Sequence, residues 1–243
     1  MTVGDAGANG AILQASNLGA GYGKKAVVFD LSFHLNKGEM LIFLGHNGAG
    51  KTTTAAALFG MLQPKTGKVL YEGRDITGRS PALNVRDGIS YVPQGHGIFR
   101  RLTVRDNLEL GSFPLADKSR VPANIKTVFE LFPILQERQS QIAGTMSGGQ
   151  QQMLAIGMAL MHNPRLIILD EPSIGLAPLL VDRVMNAVAQ INKEFGVSIL
   201  IVEQNVRAGL SIADRVVIMK TGTKVYDGAP EPLNDHVELM KYF

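Results

Sequence analysis

Cysteine is absent from this 243-residue chain, which excludes disulfides and thiolate metal sites and fits a reducing compartment without requiring one. Long apolar runs are absent too. The longest, such as Leu166 to Leu169 and Val197 to Val202, have strand length and fall short of the roughly 18 residues that a spanning helix needs. The chain is therefore not expected to cross a membrane itself. Charge of one sign is nowhere concentrated: 24 basic and 21 acidic residues are scattered to a net +3, leaving no nucleic-acid footprint. No internal repeat of about 20 to 50 residues recurs, which argues against a solenoid or a tandem duplication. The first ten residues, MTVGDAGANG, carry neither the basic start nor the apolar stretch of a secretory signal. They read as a flexible tail (1–10), and a cytosolic location is expected.

What is present has the order of an α/β protein. Residues 11 to 44 read as strand-like segments with glycine-rich turns, ending in the buried strand Met40 to Leu44. A helix is expected over Thr53 to Leu62, with strands over Gly67 to Tyr71 and Ile89 to Val92. From about 97 to 161 the pattern turns helical, with Thr103 and Ser147 as N-caps, and reads as a subdomain inserted in the α/β core. Beyond it, strands at Leu166 to Leu169, Val197 to Val202 and Val216 to Met219 alternate with helices at Leu179 to Phe195 and Val206 to Ala213. Such alternation implies a mostly parallel sheet.

Gly45-His46-Asn47-Gly48-Ala49-Gly50-Lys51-Thr52 matches G-x-x-x-x-G-K-[ST] and lies between an apolar strand and a helix, as a phosphate-binding loop must. Glycines at 45, 48 and 50 let backbone N–H groups face phosphate oxygens, and the helix start at Thr53 adds its positive dipole end. Lys51 is expected to neutralise the β and γ phosphates of ATP, and Thr52 to give a hydroxyl to Mg²⁺. Leu166-Ile-Ile-Leu-Asp170-Glu171 is an apolar strand ending in two carboxylates. Beside a phosphate loop, Asp170 reads as the Mg²⁺-side carboxylate and Glu171 as the residue that orients or deprotonates the attacking water. Ser147-Gly148-Gly149-Gln150 opens a helix and suits an anion, although by spacing alone it is also ordinary capping chemistry.

Ser147-Gly-Gly-Gln150 shortly before Leu169-Asp-Glu-Pro172, together with the phosphate loop, resembles the signature and Walker B of the ABC ATPases. The resemblance covers residues 11 to 243. It implies an ABC-type P-loop ATPase with a mixed sheet core, an N-terminal antiparallel β part and an inserted helical subdomain. It implies transmembrane permease partners, and a head-to-tail dimer in which the signature of one subunit closes on ATP held by the other. Such a subunit would sit on the inner face of the cell membrane. Tyr22 resembles the aromatic that stacks on adenine, and Gln94 in Tyr91-Val-Pro-Gln94 resembles the Q-loop glutamine that touches Mg²⁺.

Two positions depart from the common family pattern. After Ile201-Val-Glu203 the family usually places a γ-phosphate-contacting histidine, and this chain has Gln204, which hydrogen-bonds but does not exchange protons near neutral pH. The loop after Glu171 commonly ends in aspartate, and here carries Ala177. Both departures resemble the ATPases of branched-chain amino acid and urea importers, where such a subunit pairs with a different ATPase. The resemblance implies a heterodimer, in which the two sites would be unequal, with a homodimer as the alternative. Gly97-Ile-Phe-Arg-Arg-Leu-Thr-Val104 also resembles the lipopolysaccharide-export ATPase, the nearest alternative, although that relative keeps the histidine and aspartate. A soluble, non-transport ABC ATPase is the second alternative, and a regulatory subunit with little turnover the third.

Overall fold

The computed structural model describes residues 10–243, so all but the last residue of the expected tail lies outside the described residues. The described chain opens with two long strands, β1 (Ala11–Tyr22) and β2 (Lys25–Asn36), followed by β3 (Met40–Leu44) and α1 (Lys51–Phe59). Next come β4 (Thr66–Tyr71), β5 (Arg74–Asp75), α2 (Pro81–Arg86) and β6 (Ile89–Val92). Four helices follow in succession: α3 (Val104–Gly111), α4 (Val121–Leu131), α5 (Pro133–Glu137) and α6 (Gly148–Leu160). The chain then alternates again through β7 (Leu166–Asp170), α7 (Pro178–Phe195), β8 (Ser198–Val202) and α8 (Val206–Leu210). It finishes with β9 (Arg215–Lys220), β10 (Thr223–Gly228) and α9 (His236–Met240).

These strands form two sheets. An antiparallel sheet has the order β2-β1-β4-β5, and a six-stranded sheet the order β10-β9-β3-β8-β7-β6. In the larger sheet β9, β3, β8, β7 and β6 run parallel, and β10 adds an antiparallel edge. The fold is thus α/β with a mixed sheet.

Period-2 alternation explains why β3, β7 and β8 are buried at every position. On β3, Met40, Ile42 and Leu44 point into the core shared with the helices, whereas Leu41 and Phe43 point into a second core under the antiparallel sheet and α1. On β7, Ile167 and Leu169 face the first core and Leu166 and Ile168 the second. A parallel strand covered on both faces leaves no solvent side for polar residues, which is why these segments read as continuous apolar runs.

Most expected elements are found with shifts at their ends. Helix α1 begins two residues before the expected Thr53 and stops at Gly60, whose φ of 89° lets its N–H reach back to the carbonyls of Ala56 and Ala57. The left-handed glycine therefore ends it, three residues short of the expected Leu62 and ahead of Pro64. Thr103 and Ser147 are both N-caps with complete capping boxes, closed by Asp106 and Gln150. Strands β5 and β10 and helix α9 carry too little periodicity to be read from sequence. Among the described residues no helix is long and apolar enough to cross a membrane.

Candidate functional site

The ends of β3, β7 and β8 converge because these strands are parallel neighbours in register: Phe43 lies opposite Val202, and Asp170 opposite the same Val202 from the other side. Each strand then delivers its following residue to one edge, where open α/β sheets bind ligands. Beyond β3 the loop from Gly45 to Gly50 turns with φ of 148° at Gly45, 81° at Gly48 and 100° at Gly50. A Cβ at Gly45 would also lie 2.3 Å from the Met219 carbonyl oxygen, so both backbone angle and space demand glycine there.

Lys51 is buried, and its ammonium donates to the carbonyl oxygens of Gly45 (2.7 Å) and His46 (3.1 Å). The Thr52 hydroxyl donates to Oδ1 of Asp170 at 2.9 Å, and the Tyr91 hydroxyl donates to Oδ2 of the same carboxylate at 2.8 Å. The Gln94 amide donates to Oε2 of Glu171 at 3.2 Å. Glu171 holds a φ of 50°, an unfavourable angle for a non-glycine residue, and its N–H donates to the Val202 carbonyl. Backbone strain of this kind costs on the order of 1–3 kcal/mol and clusters where a side chain must be aimed away from the run of its strand.

The charges are coupled. Burial pulls the Lys51 ammonium below its ordinary pKa, and the Glu171, Glu203 and Asp170 carboxylates oppose that pull. Burial pushes the Asp170 carboxyl up, against hydrogen bonds from Tyr91 and Thr52 and the charge of Lys51. It pushes the Glu171 carboxyl up as well, opposed by Lys51 and reinforced by Asp170 and Glu203. Glu203 is almost fully buried and accepts from the backbone N–H groups of Gln204 (2.7 Å), Asn205 (2.9 Å) and Ser173 (3.3 Å). It thereby ties the loop after β8 to the loop after β7.

The structure brings Lys51, Thr52, Gln94, Asp170 and Glu171 into one hydrogen-bonded and electrostatic cluster. Tyr22 is 55% exposed at the end of β1 and makes none of these hydrogen bonds. Gln204 and Ala177 are exposed. Ser147 and Gly148 are exposed at the start of α6, where Ser147 and Gln150 cap one another. Among the described residues no hydrogen bond joins this segment to the phosphate loop. Two contributors escaped the sequence reading. Tyr91 looked like a strand residue and Glu203 like a strand end, and nothing local signals the partners they find across the sheet.

The donor set suits Mg²⁺. Thr52 and Asp170 present hard oxygen atoms side by side at a helix start, and among the described residues no cluster of three or more His, Cys, Asp or Glu forms a site for a more fully protein-ligated metal. Mg²⁺ is characteristically held by one or two protein oxygens and completed by phosphates and water.

A phosphate loop, a strand-end carboxylate pair on a mixed sheet and a capped glycine-rich helix start together define a P-loop nucleotide triphosphatase. The ABC transporter family model matches residues 28–174. The chain is 44% identical over 201 residues to the high-affinity branched-chain amino acid transport ATP-binding protein BraG of Pseudomonas aeruginosa, covering 83% of this chain and 85% of that one. It is 33% identical over 236 residues to the lipopolysaccharide export system ATP-binding protein LptB of Haemophilus influenzae, covering 96% of both. A solved ATP-binding cassette of an ABC transporter superposes with a TM-score of 0.85 at 28% identity, over 96% of this chain and 99% of that one. The chain belongs to the ABC transporter family, as its ATP-hydrolysing cassette subunit.

Proposed function

We propose that this subunit hydrolyses ATP to drive import of branched-chain amino acids, docked on permease subunits at the inner face of the cell membrane and paired with a second, different cassette. The higher identity to the branched-chain amino acid protein, with Gln204 and Ala177 where the lipopolysaccharide-export resemblance implies histidine and aspartate, favours this solute class.

The observation that carries the catalytic reading is the paired set of carboxylate contacts at the end of β7: Thr52 on Asp170 and Gln94 on Glu171. The backbone N–H groups of residues 45 to 53 would surround the phosphates, with Tyr22 against the adenine. Lys51 would exchange its two carbonyl partners for phosphate oxygens, a stronger, charge-assisted pairing. Thr52, Asp170 and Gln94 would hold Mg²⁺, which supplies charge neutralisation on the phosphate oxygens. Glu171, pushed up by burial but countered by Lys51, would accept the proton of a water attacking the γ-phosphorus. The bond to the ADP oxygen then breaks, yielding ADP and phosphate. Ser147, Gly148, Gly149 and Gln150 would complete the partner's site. Gln204 would contact the γ-phosphate by hydrogen bonding alone.

A groove lined by Val85, Tyr91, Leu110, Phe113, Met158 and His162 runs beside the Gln94 loop, and Phe113 is 81% exposed there. It offers an apolar seat for a permease segment, close enough to Gln94 to pass movement to the carboxylates.

The test is reconstitution of the complex in vesicles with labelled leucine and valine. ATP-dependent uptake is expected in the wild type. Glu171→Gln should bind ATP normally while hydrolysis and uptake fall by about 10²–10⁴-fold, the usual contribution of a general base. Uptake of neither amino acid, with ATPase activity intact, would overturn the solute class.

A further inference from the structure

Tyr91 is a half-buried hydrogen-bond donor that the catalytic scheme does not use. It sits on β6, which runs parallel to β7 with Tyr91 opposite Ile168 and Val92 opposite Leu169. Its side chain reaches along the sheet to the last residue of β7, donating to Oδ2 of Asp170 at 2.8 Å while Thr52 occupies Oδ1 at 2.9 Å. The ring is stacked on Phe59 of α1, with centroids 5.1 Å apart and planes 18° from parallel. Packing alone does not call for this hydroxyl, because phenylalanine would fill the same space and keep the stack. Its presence has to be explained by the carboxylate it touches.

An aspartate carboxylate turns easily about its terminal bond, whose torsional preference is broad. With one O–H donor on each oxygen, one from α1 and one from β6, that rotation is removed.

We propose that Tyr91 is a positioning residue that holds the Asp170 carboxylate in the plane from which it receives the divalent cation. The proposal rests on the assignment of Asp170 to the metal. It also couples the strand leading into the Gln94 loop to both carboxylates. Tyr91 grips Asp170 and Gln94, three residues further on, grips Glu171, so a displacement of this one segment moves both carboxylates together. The hydroxyl thus links the permease-side groove to the metal site.

The experiment compares wild type, Tyr91→Phe and Tyr91→Leu as full-length chains. Mn²⁺ is titrated against each at saturating ADP and followed by electron paramagnetic resonance, while ADP affinity is measured separately in EDTA. Loss of an outer-shell partner typically costs about 10–100-fold in metal affinity, so Tyr91→Phe should weaken Mn²⁺ binding at least about tenfold. Its metal-free ADP affinity and melting temperature should match wild type. Tyr91→Leu, which also loses the ring stack, should weaken Mn²⁺ binding no less. Equal Mn²⁺ affinity in wild type and Tyr91→Phe would overturn the proposal, as would a parallel loss of metal-free ADP affinity, which would mark a general distortion. Wild-type protein that binds ADP but shows no bound Mn²⁺ would instead overturn the assignment of Asp170 on which the proposal stands.

Discussion

At the scale of single residues, the site is a set of charges held out of water and balanced against one another. Lys51, Asp170, Glu171 and Glu203 are all nearly inaccessible, yet one ammonium faces three carboxylates. The imbalance shows in the direction of the pKa shifts: burial raises both Asp170 and Glu171 above the ordinary carboxylate range. For a carboxyl whose folded pKa lies above its unfolded one, the fold binds protons more readily than the unfolded chain. Its contribution to stability is then full below the unfolded value of about 4 and is lost as pH rises through the folded value. At neutral pH these carboxylates weaken the empty protein, and nucleotide with Mg²⁺ would relieve them. Asp170→Asn, measured without nucleotide or metal, is therefore expected to melt above wild type at pH 7, the gap narrowing toward pH 4. Thermal denaturation across that range is the check, and a melting temperature below wild type at pH 7 would contradict the balance of charges described here.

Elements are placed by close approaches that the linear pattern does not announce. Helix α3 crosses α6 at Gly111, where an added Cβ would lie 2.5 Å from the carbonyl oxygen and 2.9 Å from the Cα of Met158. Because the obstacle is backbone, it cannot rotate aside. Gly111→Ala should separate the two helices and cost about 1–3 kcal/mol, the usual range for overpacking, read from urea unfolding. The N-caps Thr103 and Ser147 were legible because capping chemistry is contained within a few residues, while the capping boxes that Asp106 and Gln150 close were seen only in the structure. So were β3, β7 and β8, whose burial on both faces leaves a continuous apolar signature. The short strand β5 and the partly exposed edge strand β10 left no such trace, and the end of α1 depended on the left-handed geometry of Gly60.

For the molecule as a whole, the proposal makes Ser147 to Gln150 and the phosphate loop two half-sites, each completed by the partner cassette. In the proposed heterodimer, Gln204 would alter the site built on this chain's phosphate loop and Ala177 would alter the site built on the partner's. Inactivating the catalytic carboxylate of each cassette in turn is expected to leave unequal residual ATPase rates in the assembled complex. Gln204→His should raise the rate of the site on this chain. Equal single-site rates in the wild-type complex would remove the case for functional asymmetry.

The sequence alone determined the phosphate loop, the carboxylate pair at the end of β7, the signature helix start and the strands buried on both faces, because each is a chemistry completed within a few consecutive residues. Gln204 and Ala177 stood out only against the family pattern that the resemblance implies. Only the tertiary structure decided that Tyr91 holds the second oxygen of Asp170, that Glu203 joins the loops after β7 and β8, and that Gly111 admits α3 against α6. Those contacts join residues far apart in the chain, and it is the parallel register of the sheet and the packing over it that bring them within reach.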